Sequence, residues 1–318
     1  MFDKLIKGDR RSLAKAITLI ESLRPEDNIE AQKLLNKILP HTGKSIRIGI
    51  TGVPGVGKST FIENFGMYLI DQGHKVAVLA IDPSSPISGG SILGDKTRME
   101  ILSQNEKAFI RPTPSSGFLG GVAQKTRESI LLCESAGFDY VLVETVGVGQ
   151  SEFEVADMVD FFLVLMLPNA GDELQGIKKG ILELADAVII NKADGETISA
   201  AHQTLAQFSS AMELMRFDPH WKTRVLLCSA LEKKNLDIIY EMIEEYKNST
   251  TSSGFFLEKR LSQNEEWFKN LVWELINNQL KMNSQLKQKK DVLTESVLNG
   301  SVLPLVAAHE YVDLIFKK

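Results

Sequence analysis

Apolar positions recur along the chain with two different spacings. Toward both ends they recur every three or four residues, the spacing of an amphipathic helix; these segments are 4–22, 28–39, about 256–283, 289–299 and 304–317. Between them, short apolar and β-branched runs predict strands at 45–51, 75–81, 108–111, 139–145, 161–167, 187–191 and 224–228. Helical segments separate most of these strands. The alternation predicts an α/β fold with a mostly parallel central sheet covered on both faces.

The change of spacing also predicts the domain organisation. We expect an N-terminal helical arm at 1–43, an α/β domain at 44–248 and a C-terminal helical region at 255–318. The Ser/Thr/Gly-rich residues 248–254 predict a linker. Aromatic side chains in the C-terminal region suit either an internal core or a subunit interface. Because a small helical appendage often completes its core against another subunit, we expect a homodimer.

Composition excludes several classes of protein. The net charge of −5 argues against nucleic acid or an anionic membrane as the main partner. The longest apolar run, 161–167, is far shorter than the roughly 20 residues that span a bilayer. Cys133 and Cys228 have no partner at metal-ligand spacing, which indicates buried thiols. Asp3 and Asp9 near the N-terminus disfavour a targeting segment and predict a cytoplasmic location.

The clearest chemistry lies in GVPGVGKST, residues 52–60, between a predicted strand and a helix predicted at 59–72. This is the pattern of a phosphate-binding loop, in which glycines let backbone N–H groups approach the phosphates. A glycine-rich turn that binds nothing would need neither Lys58 nor Ser59. We predict that Lys58 acts as a catalytic charge on the β and γ phosphates and that Ser59 ligates Mg²⁺. The predicted nucleotide-binding residues here are Gly52, Val53, Pro54, Gly55, Val56, Gly57, Lys58, Ser59 and Thr60.

A second motif follows the buried strand YVLVET, residues 140–145. Glu144 could hold Mg²⁺ through water, and the Gly147 N–H could sense the γ-phosphate. Gln150 is the candidate for orienting the hydrolytic water, although a glutamine there could equally be a surface residue.

Two further acids flank the first long loop. Asp82 directly follows the predicted strand 75–81, and Asp95 lies near the end of the Ser/Gly/Pro-rich loop 83–99. Such a loop is either a connector or a switch ordered by Mg²⁺ and the γ-phosphate. Because both carboxylates could reach the metal, we favour the switch.

A third motif, AVIINKAD at 187–194, indicates which base is bound. The Asp194 carboxylate can accept both the ring N–H and the amino group of guanine, and Asn191 and Lys192 complete the motif. Adenine would leave acceptors facing each other, at a cost on the order of 1–3 kcal/mol for each unsatisfied group. The alternative is a turn in which Asp194 caps a helix. Backbone N–H groups that could reach the guanine carbonyl follow strand 224–228, at Ser229, Ala230 and Leu231.

Taken together, these strings resemble the GTPases associated with methylmalonyl-CoA mutase. The resemblance covers about residues 45–231, whereas the helical ends are similar in arrangement only. The strings that carry it are GVPGVGKST, AIDPSSPISGGSILGDKTRM (80–99), GGVAQKT (120–126), ETVGVGQSE (144–152), DELQGIKKG (172–180) and NKAD.

The resemblance implies a homodimeric P-loop GTPase that uses GTP and Mg²⁺. It would bind a cobalamin-dependent acyl-CoA mutase, gate its loading with adenosylcobalamin and protect or reactivate it. The resemblance assigns phosphate and metal binding to Lys58 and Ser59. It places Asp82, Asp95 and Glu144 around Mg²⁺, and it assigns guanine binding to Asn191, Lys192 and Asp194.

The stretch 169–180 resembles an additional switch of that family, with Lys178 and Lys179 as candidates for relaying the nucleotide state; a solvated helix face is the alternative. The chain departs from the family at two positions. Asn169 stands where relatives tend to have glycine, and Ser116 stands where they often have arginine.

Three other functions remain open. A nickel-delivery GTPase would usually need a Cys/His cluster, but the five histidines are scattered. A kinase linked to amino-acid transport would transfer the phosphoryl group to an acceptor other than water. A non-catalytic adaptor would bind nucleotide without needing the metal ligands.

Overall fold

The computed structural model of the chain describes residues 1–22, 24–82, 99–114, 119–145, 151–168, 179–215 and 219–316. Its seven strands form one sheet in the order β3-β2-β4-β1-β5-β6-β7, and every neighbouring pair is parallel. The predicted α/β fold is confirmed. The strands are β1 (Ile46–Gly52), β2 (Val76–Asp82), β3 (Ala108–Pro114), β4 (Tyr140–Glu144), β5 (Phe161–Met166), β6 (Ala187–Ile190) and β7 (Arg224–Leu227).

Thirteen α-helices accompany the sheet in the described part of the chain. The first three precede β1: α1 (Phe2–Leu5), α2 (Arg10–Glu21) and α3 (Pro25–Ile38). Seven follow β1 within the sheet region or just after it: α4 (Lys58–Asp71), α5 (Glu100–Gln104), α6 (Leu119–Ser135), α7 (Ser151–Ala156), α8 (Lys179–Glu183), α9 (Ile198–Met215) and α10 (Leu236–Ser253). The last three are α11 (Phe255–Met282), α12 (Ser284–Leu298) and α13 (Pro304–Phe316).

Helices cover both faces of the sheet, and a hydrophobic core lies on each face. One core joins the N-terminal helices to α6, with Leu13, Ile17 and Leu132 fully buried. The other lies under α4 and α10, around Phe61 and Tyr246. All six residues of β5 are buried, as expected for a central parallel strand.

The chain divides into two compact units, Met1–Arg260 and Leu261–Lys318. The N-terminal helices therefore share a unit with the sheet, and the three-domain division stays a prediction. In the second unit Leu293 and Ala307 are buried, whereas Phe268 and Trp273 are each 66% exposed. None of the described helices is both long and apolar enough to cross a membrane.

The linker prediction for residues 248–254 was wrong. Residues 248–253 are the last turns of α10, which ends at Gly254 with φ 82°. Hydroxyl groups in these turns donate to backbone carbonyls three or four residues earlier, including Thr250 to Tyr246 at 2.6 Å and Ser252 to Asn248 at 2.7 Å. The Ser and Thr side chains that favoured a linker are thus accommodated within a helix. The helix ends at Gly254, which adopts the left-handed conformation common at helix C-termini.

Candidate functional site

The predicted motifs follow four parallel strands of the sheet, β4 beside β1 and β6 beside β7, with β5 between the two pairs. β1 ends at Gly52, β4 at Glu144, β6 at Ile190 and β7 at Leu227. In a parallel sheet these carboxyl ends share one edge, which is where ligands bind in folds of this class. The motifs at 52–60, 144–145, 191–194 and 229–231 are therefore gathered along this carboxyl edge of the sheet.

Two glycines of the loop are required by close packing as well as by backbone conformation. Gly52 has φ 152°, and a Cβ there would lie 2.5 Å from the Leu165 carbonyl oxygen. Gly57 has φ 96°, and a Cβ there would lie 2.8 Å from Nδ2 of Asn191. Side chains at either position would clash or strain the backbone. The loop therefore packs tightly against the sheet and against the predicted guanine motif.

Lys58 is the first residue of α4, and its side chain turns back over the loop. Its Nζ donates to the carbonyl oxygens of Gly52 at 2.7 Å and Val53 at 3.3 Å. Burial lowers the pKa of Lys58, and the negative charges of Glu144 and Glu152 oppose that shift. The charges of two glutamates thus favour the protonated form of the ammonium group that we expect at the phosphates.

Sequence reasoning did not single out Glu152. It lies in the first turn of α7 and is 1% exposed, which is rare for a glutamate. The available signal was its place at the end of the string ETVGVGQSE, two residues after Gln150, the candidate for orienting water. No periodicity marks it, because α7 has only six residues.

Ser59 and Glu144 lie together, with the serine hydroxyl donating to Oε1 of Glu144 at 3.3 Å. Oxygen donors of this kind suit Mg²⁺, which typically takes one or two protein ligands together with phosphates and water. The described residues contain no group of three or more His, Cys, Asp or Glu able to hold a metal ion. The Ser59 and Glu144 oxygens thus have the chemistry of ligands for a Mg²⁺ ion bound together with a nucleotide.

The other predicted metal and catalytic residues are only partly described. Asp82 ends β2, two residues beyond Ala80, which is in register with Glu144; its side chain is not described. Lys179 begins α8, and its side chain is likewise not described. Outside the described residues lie Asp95, Gly147, Gln150, Ser116, Asn169 and Lys178.

Asn191 connects the predicted guanine motif to the phosphate loop. It is 1% exposed, and its Nδ2 donates to the Val56 carbonyl oxygen at 2.8 Å. Its Oδ1 accepts a hydrogen bond from the Ala230 N–H at 3.0 Å. One side chain thus links the loops that we expect to hold the phosphates and the base.

Asp194, the predicted base-binding carboxylate, occupies the N-cap position of the short 3-10 helix Gly195–Thr197, but its side chain does not cap that helix. Instead, Oδ2 of Asp194 accepts a hydrogen bond from the Ser229 hydroxyl. A carboxylate has about four lone-pair sites, so this bond leaves capacity for guanine. The capping alternative is therefore not supported.

Lys192 and Leu231 are the remaining described residues of the predicted guanine site. Lys192 has φ 57°, and its Cε lies 4.0 Å from the position that a Cβ on Gly57 would take. Its side chain therefore extends toward the phosphate loop. Leu231 is 75% exposed, so an apolar side chain lies at the surface beside Ala230.

Comparisons with known proteins find relatives along nearly the whole chain. The family described as methylmalonyl Co-A mutase-associated GTPase MeaB matches residues 13–285. The chain is 47% identical over 314 residues to "GTPase ArgK" of Escherichia coli (strain K12), covering 98% of this chain and 95% of that protein. It is 44% identical over 328 residues to "Methylmalonic aciduria type A homolog, mitochondrial" of Mus musculus, covering 100% and 78%. A solved structure titled "Crystal structure of LAO/AO transport system kinase" aligns with a TM-score of 0.80 at 40% identity, covering 99% and 96%.

Proposed function

Since the chain belongs to the methylmalonyl-CoA mutase-associated GTPase family and is a GTPase, we propose that it is a Mg²⁺-dependent chaperone of a cobalamin-dependent acyl-CoA mutase. Its GTP cycle would gate the loading of adenosylcobalamin and the protection or reactivation of the mutase. The observation that carries the proposal is the match of residues 13–285 to a family named for its association with that mutase. The name of the murine relative, which refers to methylmalonic aciduria, supports a connection with methylmalonyl metabolism.

The contacts at the carboxyl edge of the sheet suggest how the chain hydrolyses GTP. Lys58 is held over the phosphate loop by two carbonyls and would offset charge on the phosphoryl oxygens. Ser59 and Glu144 would hold Mg²⁺, which supplies further positive charge beside the phosphates, with Asp82 and Asp95 as additional candidates. Catalysis of this type rests on positioning and charge stabilisation. Gln150 remains the proposed residue for orienting water, and Gly147 the proposed sensor of the γ-phosphate.

The guanine base would lie between Asp194 and residues 229–231, which follow β6 and β7 at the carboxyl edge of the sheet. Asp194 accepts from Ser229 and would bind the ring N–H and the amino group of the base. Asn191 fixes the loop at Ala230, and Lys192 would cover the nucleotide from the solvent side.

We also propose that the chain forms a homodimer through its C-terminal unit. Many apolar side chains of that unit are exposed, and side chains of this kind are typically buried in the core of a homodimer interface. The most exposed are Met282, Leu298, Phe316, Leu303, Leu305, Phe268 and Trp273.

A second candidate function comes from the solved structure titled as a transport system kinase, which is 40% identical over nearly the whole chain. A kinase would pass the γ-phosphoryl group to a protein or small-molecule acceptor. The nickel-delivery alternative gains no support from the described residues, which contain no metal-binding cluster.

The decisive experiment measures GTP hydrolysis by the purified full chain with and without the acyl-CoA mutase encoded by the same genome. We expect the mutase to change the turnover rate and to co-elute with the chain in a nucleotide-dependent manner, and a Lys58→Ala variant to lose the response. If no acyl-CoA mutase alters hydrolysis or binds the chain, the chaperone proposal is wrong. Transfer of label from γ-labelled GTP to a candidate acceptor rather than to phosphate would favour the kinase.

A further inference from the structure

Asn64 lies outside every nucleotide-binding motif, yet its side chain contacts the loop expected to bind the base. It is half-buried on α4, six residues after Lys58. Its Nδ2 donates to the carbonyl oxygen of Ala230 at 3.0 Å and to that of Thr60 at 3.1 Å. Thr60 lies one turn earlier on the same helix. A single amide group therefore ties the helix that begins with the phosphate-binding lysine to the loop after β7.

Ala230 is held from its other side by Asn191. The Ala230 N–H donates to Oδ1 of Asn191 at 3.0 Å, and Asn191 donates to Val56 in the phosphate loop. The two asparagines thus fix the two successive peptide groups that flank Ala230. Asn191 fixes the peptide before Ala230, and Asn64 fixes the peptide after it.

The peptide after Ala230 consists of the Ala230 carbonyl and the Leu231 N–H. The described residues contain no cis peptide bond, and a planar trans peptide points its C=O and N–H in opposite directions. The hydrogen bond from Asn64 to the carbonyl therefore sets the direction of the Leu231 N–H. The Ala230 N–H already donates to Asn191. Of the two N–H groups, at Ala230 and Leu231, it is therefore the Leu231 N–H whose direction Asn64 controls.

We propose that Asn64 is a positioning residue for guanine recognition, which orients the Ala230–Leu231 peptide so that the Leu231 N–H donates to the carbonyl oxygen at position 6 of the base. This inference rests on the proposed placement of guanine between Asp194 and residues 229–231. Asp194 reads the ring N–H and the 2-amino group, whereas Asn64 acts on position 6. At that position adenine carries an amino group, a donor that would face the Leu231 donor.

Because the two readers act on different atoms of the base, nucleotide analogues separate them. Inosine triphosphate keeps the 6-carbonyl oxygen and lacks the 2-amino group. 6-Thioguanosine triphosphate keeps the ring N–H and the 2-amino group but replaces that oxygen with sulfur, a weak acceptor. Loss of a correctly positioned hydrogen bond weakens binding by about 3- to 10-fold.

The experiment measures the dissociation constant and the steady-state constants of the full chain for GTP, inosine triphosphate and 6-thioguanosine triphosphate. We expect Asn64→Ala to weaken GTP and inosine triphosphate equally, by about 3- to 10-fold, and 6-thioguanosine triphosphate much less, with kcat nearly unchanged. Asn64→Asp, which has the same shape but points a carboxylate at two carbonyls, should weaken the oxygen-bearing nucleotides further. Asp71→Asn, at the exposed far end of α4, is the matched control and should change nothing.

An equal loss for all three nucleotides, a loss confined to kcat, or no loss would overturn the role of Asn64. The thermal unfolding temperature of Asn64→Ala, measured alongside, shows whether α4 remains intact; the nucleotide preference is a ratio within one variant, so it does not depend on equal stability. Asp194→Asn tests the placement of the base separately. If that variant shifts preference toward xanthosine triphosphate while Asn64→Ala fails to discriminate, only the inference about Asn64 is wrong.

Discussion

Lys58 donates from Nζ to the carbonyl oxygen of Gly52 at 2.7 Å. Because Gly52 ends β1 and Lys58 begins α4, this bond closes the phosphate loop on itself and fixes the ammonium group above it. The lysine is 9% exposed, so its position is set by the protein rather than by solvent.

Replacing Lys58 by alanine should reduce GTP hydrolysis by at least about 100-fold and weaken triphosphate binding, since a charge that stabilises the transition state is lost. Steady-state phosphate release and GTP titration would measure both effects. Lys44→Ala is the matched control, because Lys44 is exposed and precedes β1 at the opposite end of the strand. Near-normal hydrolysis by Lys58→Ala would remove this loop from the catalytic site.

Replacing Glu144 by glutamine should raise the Mg²⁺ concentration required for hydrolysis by about 10- to 100-fold, the usual effect of losing a group that supports a bound metal. The substitution keeps the shape of the side chain that accepts from Ser59 and removes its charge. A Mg²⁺ titration of hydrolysis measures the shift, and excess Mg²⁺ should restore part of the rate. Glu100→Gln, at an exposed glutamate, serves as the control; an unchanged Mg²⁺ requirement in Glu144→Gln would exclude Glu144 from the metal site.

Arg260 should be essential for stability rather than for chemistry. It is 7% exposed and forms two hydrogen bonds of 2.7 Å with Asp160, while also donating to the carbonyl oxygens of Gly43 and Ser45. Arg260→Met would leave the Asp160 carboxylate buried without this partner, at a cost of about 3–5 kcal/mol.

Urea unfolding of Arg260→Met, followed by circular dichroism, measures that cost. Lys222→Met is the control, because the Lys222–Glu213 pair is exposed at both ends and should contribute less than about 1 kcal/mol. Equal destabilisation of the two variants would mean that the buried pair around Arg260 contributes no more than a surface pair.

The strands, their parallel arrangement and the phosphate loop could be predicted because their signals are local: a continuous apolar run such as 161–167, or glycines at fixed spacing. The links between motifs could not. Asn191 and Val56 are 135 residues apart, and Asn64 and Ala230 are 166 apart, so their contacts exist only once the sheet has placed both loops at one edge.

Two other features escaped prediction for different physical reasons. Composition suggested a linker at 248–254, but the hydroxyls of that stretch bond within α10, which composition does not reveal. Glu152 resembles any surface glutamate in sequence, and only the packing of α7 buries it.

The recognition of guanine by Asp194 is tested most directly by changing its hydrogen-bonding character. The measurement is the ratio of kcat/KM for GTP to that for xanthosine triphosphate, in the unaltered chain and in Asp194→Asn. Xanthine carries a carbonyl oxygen where guanine has its amino group, so an amide at position 194 can donate to it. We predict that the unaltered chain prefers GTP and that Asp194→Asn prefers xanthosine triphosphate. An unchanged ratio would contradict the assignment of Asp194 to the guanine site and, with it, the proposed orientation of the nucleotide along the carboxyl edge of the sheet.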